Sequence, residues 1–337
     1  MNKNQHSNPS PVRWGIIGCG SIAHSFAQAV PFTSNAILTT VASRTPNKAK
    51  DFAEEYHSED NPITAYTTYE ELAEDPAVEA VYVATTHNFH YENVLLCLRN
   101  KKHVLCEKPI TINSAQLRTL QKTAAEHGCF LMEALWTRFL PGIRKLQELI
   151  DEEAIGTVRL LQATFGIHKN DDPEHRMLNP RLAGGALLDL GIYPLNFAHI
   201  VYGKELESSE SLAYIGPTGV DETSAYLLRF SGGRIAMLTS SCAVETPHTA
   251  VLYGTEGSIT VEDFFHPSSL ALRKGDTTTT FDVGYPSTGF QFETEEASRC
   301  IRSGLTESPV MPLSESLHIM GLMDRFRDSW QMHYPQE

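Results

Sequence analysis

GIIGCGSIAHSF, residues 15–26, runs from an apolar strand pattern through a glycine-rich turn into a helix pattern. At its centre, Gly18-Cys19-Gly20-Ser21-Ile22-Ala23 has the spacing G-x-G-x-x-A. Gly18 permits a tight turn, Gly20 lets a pyrophosphate approach the backbone, and Ala23 keeps the helix close to the strand. Phosphates then meet the free N–H groups of the helix N-terminus, at Ser21 and Ile22. A glycine pattern alone is weak evidence. Here a strand precedes it, a helix follows it, and it lies in the first βαβ unit, which makes it a dinucleotide turn.

Outward from this turn, the strand patterns VRWGIIG, AILTTVASR, EAVYVAT, HVLCEKP and CFLMEA alternate with helix patterns. The helices start at Ser21 and continue with NKAKDFAEEY, YENVLLCLRN and SAQLRTLQKTAAEHG. That alternation predicts an α/β fold with a mainly parallel, doubly wound sheet. After Leu135 the rhythm changes. GIRKLQELID and GGALLDLGIYPLNFAHIVYG read as helices, and LSESLHIMGLMDRFRDSW as a closing amphipathic helix. VRLLQATFGI, SAYLLRF, RIAMLTSSCAV, TAVLYG, GSITVEDFF and SLALRK read as strands, and TTTT at 277–280 as an edge strand or turn. Their close spacing predicts an α+β domain with a largely antiparallel, open sheet. The expected organisation is a disordered lead-in over 1–10, a Rossmann domain over 11–134 and the α+β domain over 135–337.

Bulk properties exclude several classes. A chain of 337 residues, 41% hydrophobic and 20% charged, suits a globular protein of two domains. No apolar run approaches the roughly 20 residues that span a bilayer. The polar opening MNKNQHSNPSP lacks the apolar stretch of a secretory signal. A net charge of −14 without a dense basic patch argues against nucleic acid as the main partner. Six cysteines, at 19, 97, 106, 129, 242 and 300, form no C-x-x-C pair. They read as reduced, buried thiols of a cytoplasmic protein rather than a disulfide framework or zinc site.

The second strand ends VASRTPNKA. NAD-selective sites usually carry an acidic residue there, on the ribose 2′-OH. This chain has Ser43 and Arg44, with Lys48 a helical turn on, and these suit a 2′-phosphate. NADP is the expected cofactor, with NAD the alternative. Ligands of such sheets bind beyond the strands' carboxyl ends. Thr85, Thr86 and His87 follow one strand there; Glu107, Lys108 and Pro109 follow another. Charges beside a buried strand are costly unless solvated or paired. A place on the cleft rim accounts for Glu107 and Lys108. His87-Asn88-Phe89-His90 has H-x-x-H spacing, but no third ligand is indicated, and no metal is expected.

These motifs in order, with Gly184-Gly185-x-x-x-Asp189-x-Gly191 opening the second domain, resemble the Gfo/Idh/MocA oxidoreductase family over most of the chain. RWGIIGCGSIA, THNFHYENVLLCL, HVLCEKPI, MEALWTRFLP and GGALLDLGIYP are similar to its branch of dimeric dihydrodiol dehydrogenases and NADP-dependent D-xylose dehydrogenases. The broad family's D-x-x-x-H pattern supplies a catalytic His; here Tyr193 stands in that place, a replacement this branch shares. The resemblance implies Tyr193 as acid/base with Lys108 as its partner. It also implies a cofactor-lining loop at His87 and His90, and a homodimer or higher homo-oligomer formed through the open sheet.

The residues themselves support such chemistry. Tyr has an ordinary pKa near 10, and a nearby ammonium such as Lys108 stabilises its phenolate. Neutral Tyr193 would protonate an alkoxide in the reverse direction. Asp189 and Tyr193, four apart, share a helix face. Asp189 either orients Lys108 or caps a helix start, and Pro194 kinks the segment. Trp136 and Arg138 either flank a polyol substrate or serve the domain interface; His168 and Arg176 are further pocket candidates. The expected function is an NADP-dependent dehydrogenase of a sugar or cyclic diol. An NADPH-dependent reductase of anhydro-sugars or dicarbonyls is the alternative. A non-catalytic cofactor sensor would have little need for both Lys108 and Tyr193.

Overall fold

The computed structural model describes residues 10–168 and 171–337, so the expected lead-in falls almost wholly outside the described residues. Six parallel strands form the first sheet: β1 (Val12–Ile17), β2 (Ala36–Ala42), β3 (Thr64–Tyr66), β4 (Ala80–Val83), β5 (His103–Glu107) and β6 (Leu131–Ala134). Their order is β3-β2-β1-β4-β5-β6, and α1 (Ser21–Ala29), α2 (Lys48–Tyr56), α3 (Tyr69–Glu74), α4 (His90–Arg99) and α5 (Ser114–His127) connect them. The strand order reverses between β1 and β4, which opens a crevice above their carboxyl ends. Both faces of the inner strands are covered, so Val81, Tyr82, Leu105 and Cys106 are fully buried in near-continuous apolar runs. The edge strand β3 has only three residues, two of them exposed, and carries no apolar pattern of its own.

The second sheet follows α6 (Pro141–Asp151) and is interrupted by α7 (Ile192–Tyr202). Its strands are β7 (Val158–Gly166), β8 (Leu206–Ile215), β9 (Asp221–Phe230), β10 (Arg234–Ser241), β11 (Ala250–Gly254), β12 (Ser258–Val261), β13 (Ser269–Lys274) and β14 (Thr277–Asp282). They lie in the order β14-β13-β12-β11-β7-β10-β9-β8. Only β7 and β10 pair in parallel; every other neighbour is antiparallel. The strand β8 and the helix α8 (Phe290–Arg302) carry no expectation above. LESSESLAYI is a polar edge strand with no buried residue, and FQFETEEASRCIR hides its apolar stripe among glutamates.

Helix α8 turns back to the first sheet. Trp14 Nε1 donates to Ser298 Oγ at 3.0 Å, and Asn35 Nδ2 to the Glu295 carbonyl at 3.0 Å. The closing helix α9 (Leu313–Ser329) also reaches the first domain, where Ser114 N at the start of α5 donates to Asp324 Oδ2 at 2.9 Å. Within it, Arg327 donates to the Ile112 carbonyl at 3.0 Å, and beyond it Tyr334 Oη donates to the Gly184 carbonyl at 2.5 Å. These contacts tie the loop after β5 to the turn before α7. One face of the second sheet packs on helices; Tyr226 stacks on Phe326 at 5.3 Å. The other face is open, with Leu212 79% and Leu227 49% exposed beside Met237 and a hollow of about 700 Å³. Among the described residues no helix is long and apolar enough to cross a membrane.

Candidate active site

A cleft of about 490 Å³ lies over the carboxyl ends of β1, β4 and β5. Its floor is the Gly18–Ile22 turn. Gly18 has φ +93°, and a Cβ there would stand 2.9 Å from the Ala84 carbonyl. A Cβ on Gly20 would meet no atom within 4 Å, so that position faces the open cleft. Gly20 caps α1 without a side-chain hydrogen bond, which leaves the first N–H groups of the helix free for an anion. Ala23 is buried beneath them, in helix-to-strand packing. This cradle fits the diphosphate of a dinucleotide.

Of the residues expected to hold the cofactor, Gly18, Gly20, Ser21, Ile22, Ser43, Lys48, Thr85, Thr86, His87, His90, Glu107 and Lys108 all line the cleft. Arg44 stands just beyond the lining. Its guanidinium lies 4.4 Å from the Tyr69 ring centre and 3.7 Å from Glu70 Oε1, and its side chain is half exposed. His90 is wholly buried, with Nδ1 2.7 Å from the Pro109 carbonyl and Nε2 2.9 Å from that of Thr85. Burial and the neighbouring His87 lower its pKa to about 4, so the neutral ring carries one N–H and donates to only one of the two carbonyls between which it stands, in the loops after β4 and β5.

Glu107 and Lys108 both line the cleft, and Glu107 is buried there rather than solvated. Glu107 is 7% exposed. Tyr82 Oη donates to its Oε1, and the Lys108 N–H donates to Oε2 at 3.2 Å. Burial raises the Glu107 carboxyl to about 7, against the pull of these two donors. The peptide bond between Lys108 and Pro109 is cis.

Lys108 reaches across to the second half of the chain. Its Nζ donates to Asp189 Oδ1 at 2.9 Å and to the Asp189 carbonyl at 2.8 Å. Asp189 lies in a π turn, Leu187–Gly191, which runs directly into α7. A carbonyl in a π turn bonds the N–H five residues on. Five on from Asp189 is Pro194, which has none, and Lys108 takes the carbonyl instead. Pro194 lies in the first turn of α7, and its missing N–H leaves the Asp189 carbonyl as an acceptor for Lys108. Arg176 Nη1 sits 2.9 Å from Asp189 Oδ2, and His87 Nε2 3.6 Å from Oδ1.

Charge pairing decides the protonation states here. Burial works against the Asp189 carboxylate, but Lys108 and Arg176 overcome it and hold its pKa well below the ordinary value. Burial also works against the Lys108 ammonium, yet Asp189 and then Tyr193 leave its pKa raised. The same ammonium stands 4.9 Å from the Tyr193 ring centre. For Tyr193, burial outweighs Lys108 and the net pKa is raised, whereas the sequence led us to expect a lowered one. Tyr193 is held as a phenol at neutral pH.

Two expected substrate contacts are placed elsewhere. Arg138 does not line the cleft: its Nη2 is 2.6 Å from Glu315 Oε1 and 3.2 Å from Asn196 Oδ1. A buried guanidinium needs a carboxylate, and this one clamps the turn after β6 to α7 and α9. His168 is exposed on the loop after β7, with Nε2 2.9 Å from Asp171 Oδ1, and takes no part in the cleft. Trp136 stands against Tyr193 rather than in the cofactor cleft, with Nε1 3.3 Å from Tyr193 Oη. Phe165 and Phe265 complete an aromatic wall, at 5.3 and 5.6 Å from the Tyr193 ring. Neither was expected from the sequence; the paired aromatics of VEDFF were the available signal. Among the described residues no three His, Cys, Asp or Glu side chains are grouped to hold a metal ion.

A 3-2-1-4-5-6 parallel sheet, a glycine cradle at its switch point and a second sheet domain behind it define an NAD(P)-dependent oxidoreductase. The chain belongs to the Gfo/Idh/MocA oxidoreductase family: residues 12–135 match its NAD-binding Rossmann fold and residues 143–260 its C-terminal domain. Its relatives include the trans-1,2-dihydrobenzene-1,2-diol dehydrogenase of Danio rerio, 38% identical, with 97% of this chain and 99% of that one covered. The enzyme of that name from Xenopus tropicalis is 36% identical over 96% and 99%. A 3-ketoreductase from Actinomadura kijaniata, crystallised with NADP and TDP-benzene, superposes with a TM-score of 0.85. It is 28% identical, with 95% and 98% of the two chains covered.

Proposed function

We propose that this enzyme transfers hydride between NADP and a secondary hydroxyl or its carbonyl on a small sugar or cyclic diol. Tyr193 is the acid/base, Lys108 its electrostatic partner, and Asp189 the residue that positions Lys108. The observation that carries this reading is the Lys108 ammonium, pinned by Asp189 and poised over the Tyr193 ring where the two halves of the chain meet. The names of the dehydrogenase relatives support a diol substrate. Ser43 and Lys48 in the cleft, Arg44 beside it, and no carboxylate at the end of β2 support NADP over NAD.

A bound nicotinamide would supply the hydride acceptor or donor. The chain's own part is the proton. In reduction, the Tyr193 phenol donates its proton to the carbonyl oxygen as charge builds there, and Lys108 stabilises the phenolate left behind. In oxidation the same oxygen takes the hydroxyl proton, which first requires the phenolate. Because the Tyr193 pKa is raised, oxidation gains from alkaline pH while reduction runs at neutral pH. That asymmetry favours the NADPH-consuming direction as a second reading. The Phe165–Phe265–Trp136 wall supplies an apolar, dry side to the reacting carbon. The open face of the second sheet is the dimer surface in this reading, and six buried cysteines suit a reducing cytoplasm.

The test is absorbance of NADPH with a panel of aldoses and trans-diols, and separately with dicarbonyls and anhydro-sugars, at neutral and alkaline pH. Turnover of one class fixes substrate and direction. NADP binding without turnover in either direction would overturn the proposal.

A further inference from the structure

Three consecutive residues after β6 are each anchored to a different part of the second half of the chain. Trp136 Nε1 donates to Tyr193 Oη at 3.3 Å, Thr137 Oγ1 to the Phe265 carbonyl at 2.7 Å, and Arg138 Nη2 to Asn196 and Glu315. Asn196 lies three residues beyond Tyr193 on α7, so the Arg138 clamp fixes the rotation of α7 relative to Trp136. The indole is stacked on Phe290 at 4.8 Å, and its far edge abuts Gly289. A Cβ there would lie 3.0 Å from Trp136 Cζ3. The indole is thus held from three sides with its N–H aimed at the Tyr193 oxygen.

An indole N–H can only donate. The Tyr193 oxygen is therefore the acceptor, and its own hydrogen is turned away from Trp136. Among the described residues Tyr193 Oη makes no other hydrogen bond, so that hydrogen is free for a substrate oxygen. When the phenol loses its proton, the indole N–H meets a full negative charge, and the bond strengthens.

We propose that Trp136 is a positioning residue for Tyr193: its N–H holds the phenol oxygen, directs the phenol hydrogen into the site and stabilises the phenolate. This rests on the acid/base reading of Tyr193 above. The other charged or titratable groups around Tyr193 are Lys108 and Glu107 at the end of β5, and Asp189 with its partners Arg176 and His87. His248 and His266 stand behind the aromatic wall. None of these is altered by Trp136→Phe, which keeps an aromatic ring and removes the donor.

The experiment is the pH profile of kcat for substrate oxidation by Trp136→Phe. The expected result is an alkaline shift of the profile by about one unit, near tenfold lower kcat on its acid side, and recovery toward the native plateau at high pH. NADP binding and thermal unfolding of the variant establish that it is folded. His168→Ala, exposed and outside the cleft, is the control and should leave the profile unmoved. An unmoved profile in folded Trp136→Phe, or a change confined to KM, overturns the inference. Tyr193→Phe tests the reading beneath it: near-native turnover there removes both, while an inactive Tyr193→Phe beside an unmoved Trp136→Phe profile removes only this one.

Discussion

Replacing Asp189 with Asn keeps the shape of the side chain and removes the one carboxylate shared by Lys108 and Arg176. Lys108 is 12% exposed and cannot move its charge into water, whereas Arg176, 49% exposed, can turn outward. The expected cost therefore comes mainly from one stranded ammonium, about 3 kcal/mol within the roughly 3–5 kcal/mol found when one partner of a buried ion pair is removed. In a chain of this length that lowers Tm by roughly 4 °C. The pH dependence has a definite sign. Asp189 has a depressed folded pKa, so its stabilisation is present above the unfolded Asp value of about 4 and is lost as pH falls toward the folded value. Lys108 has a raised folded pKa, so its share persists up to the ordinary lysine value and fades above it. The difference between native protein and Asp189→Asn should thus be flat from about pH 5 to 9 and shrink below that range. Urea unfolding of both proteins across this range measures it. A difference under about 1 kcal/mol at pH 7, or one that grows as the pH falls, would refute the account of Asp189 as counter-ion of a buried lysine.

Three further outcomes are expected. Tyr193→Phe should leave NADP binding within about twofold and lower turnover by about 10²-fold or more, measured by titration and steady-state kinetics; a loss below tenfold would remove its acid/base role. Arg44→Ala should weaken NADP by about tenfold and NAD hardly at all in a fluorescence titration. Equal weakening of the two would show that its stack on Tyr69 is only structural. If the open sheet face is the dimer surface proposed for it, sedimentation at micromolar concentration should give a dimer for the native chain and a monomer for Leu227→Glu, placed on that face beside Met237. The same mass for both proteins would remove the open face from the proposed assembly.

The parts of this molecule that the sequence made legible are those in which one residue type is required by one local geometry. The Gly18–Ala23 turn, the apolar runs of β1, β4 and β5, and the cleft positions of Thr85 and Lys108 are of that kind. Arg138 and His168 were misplaced because polar side chains next to a motif look alike whether they face a ligand or a neighbour. Only the fold reveals that Glu315, some 180 residues on, claims Arg138. The net effect of burial on Tyr193 was equally hidden: Lys108 was legible, but the enclosure that outweighs it comes from Phe165, Phe265 and Trp136, on three separate segments. Strand β8 and helix α8 escaped because their apolar positions are too few or too interrupted to mark a period.

The six free thiols are all shut inside the fold, and burial pushes Cys19 up to about 11 and Cys97, Cys242 and Cys300 to about 12. A closed molecule therefore offers an alkylating reagent almost nothing. Labelling becomes a clock for opening, with Cys97, Cys106 and Cys129 timing the first sheet and Cys242 the second. Cys19, on the cleft floor at 2% exposure, adds a distinct channel. If the dinucleotide seats there, it should slow labelling of Cys19 beyond that of the other five. Mass spectrometry of the six peptides would then read cofactor occupancy and breathing of each sheet from the unmodified chain.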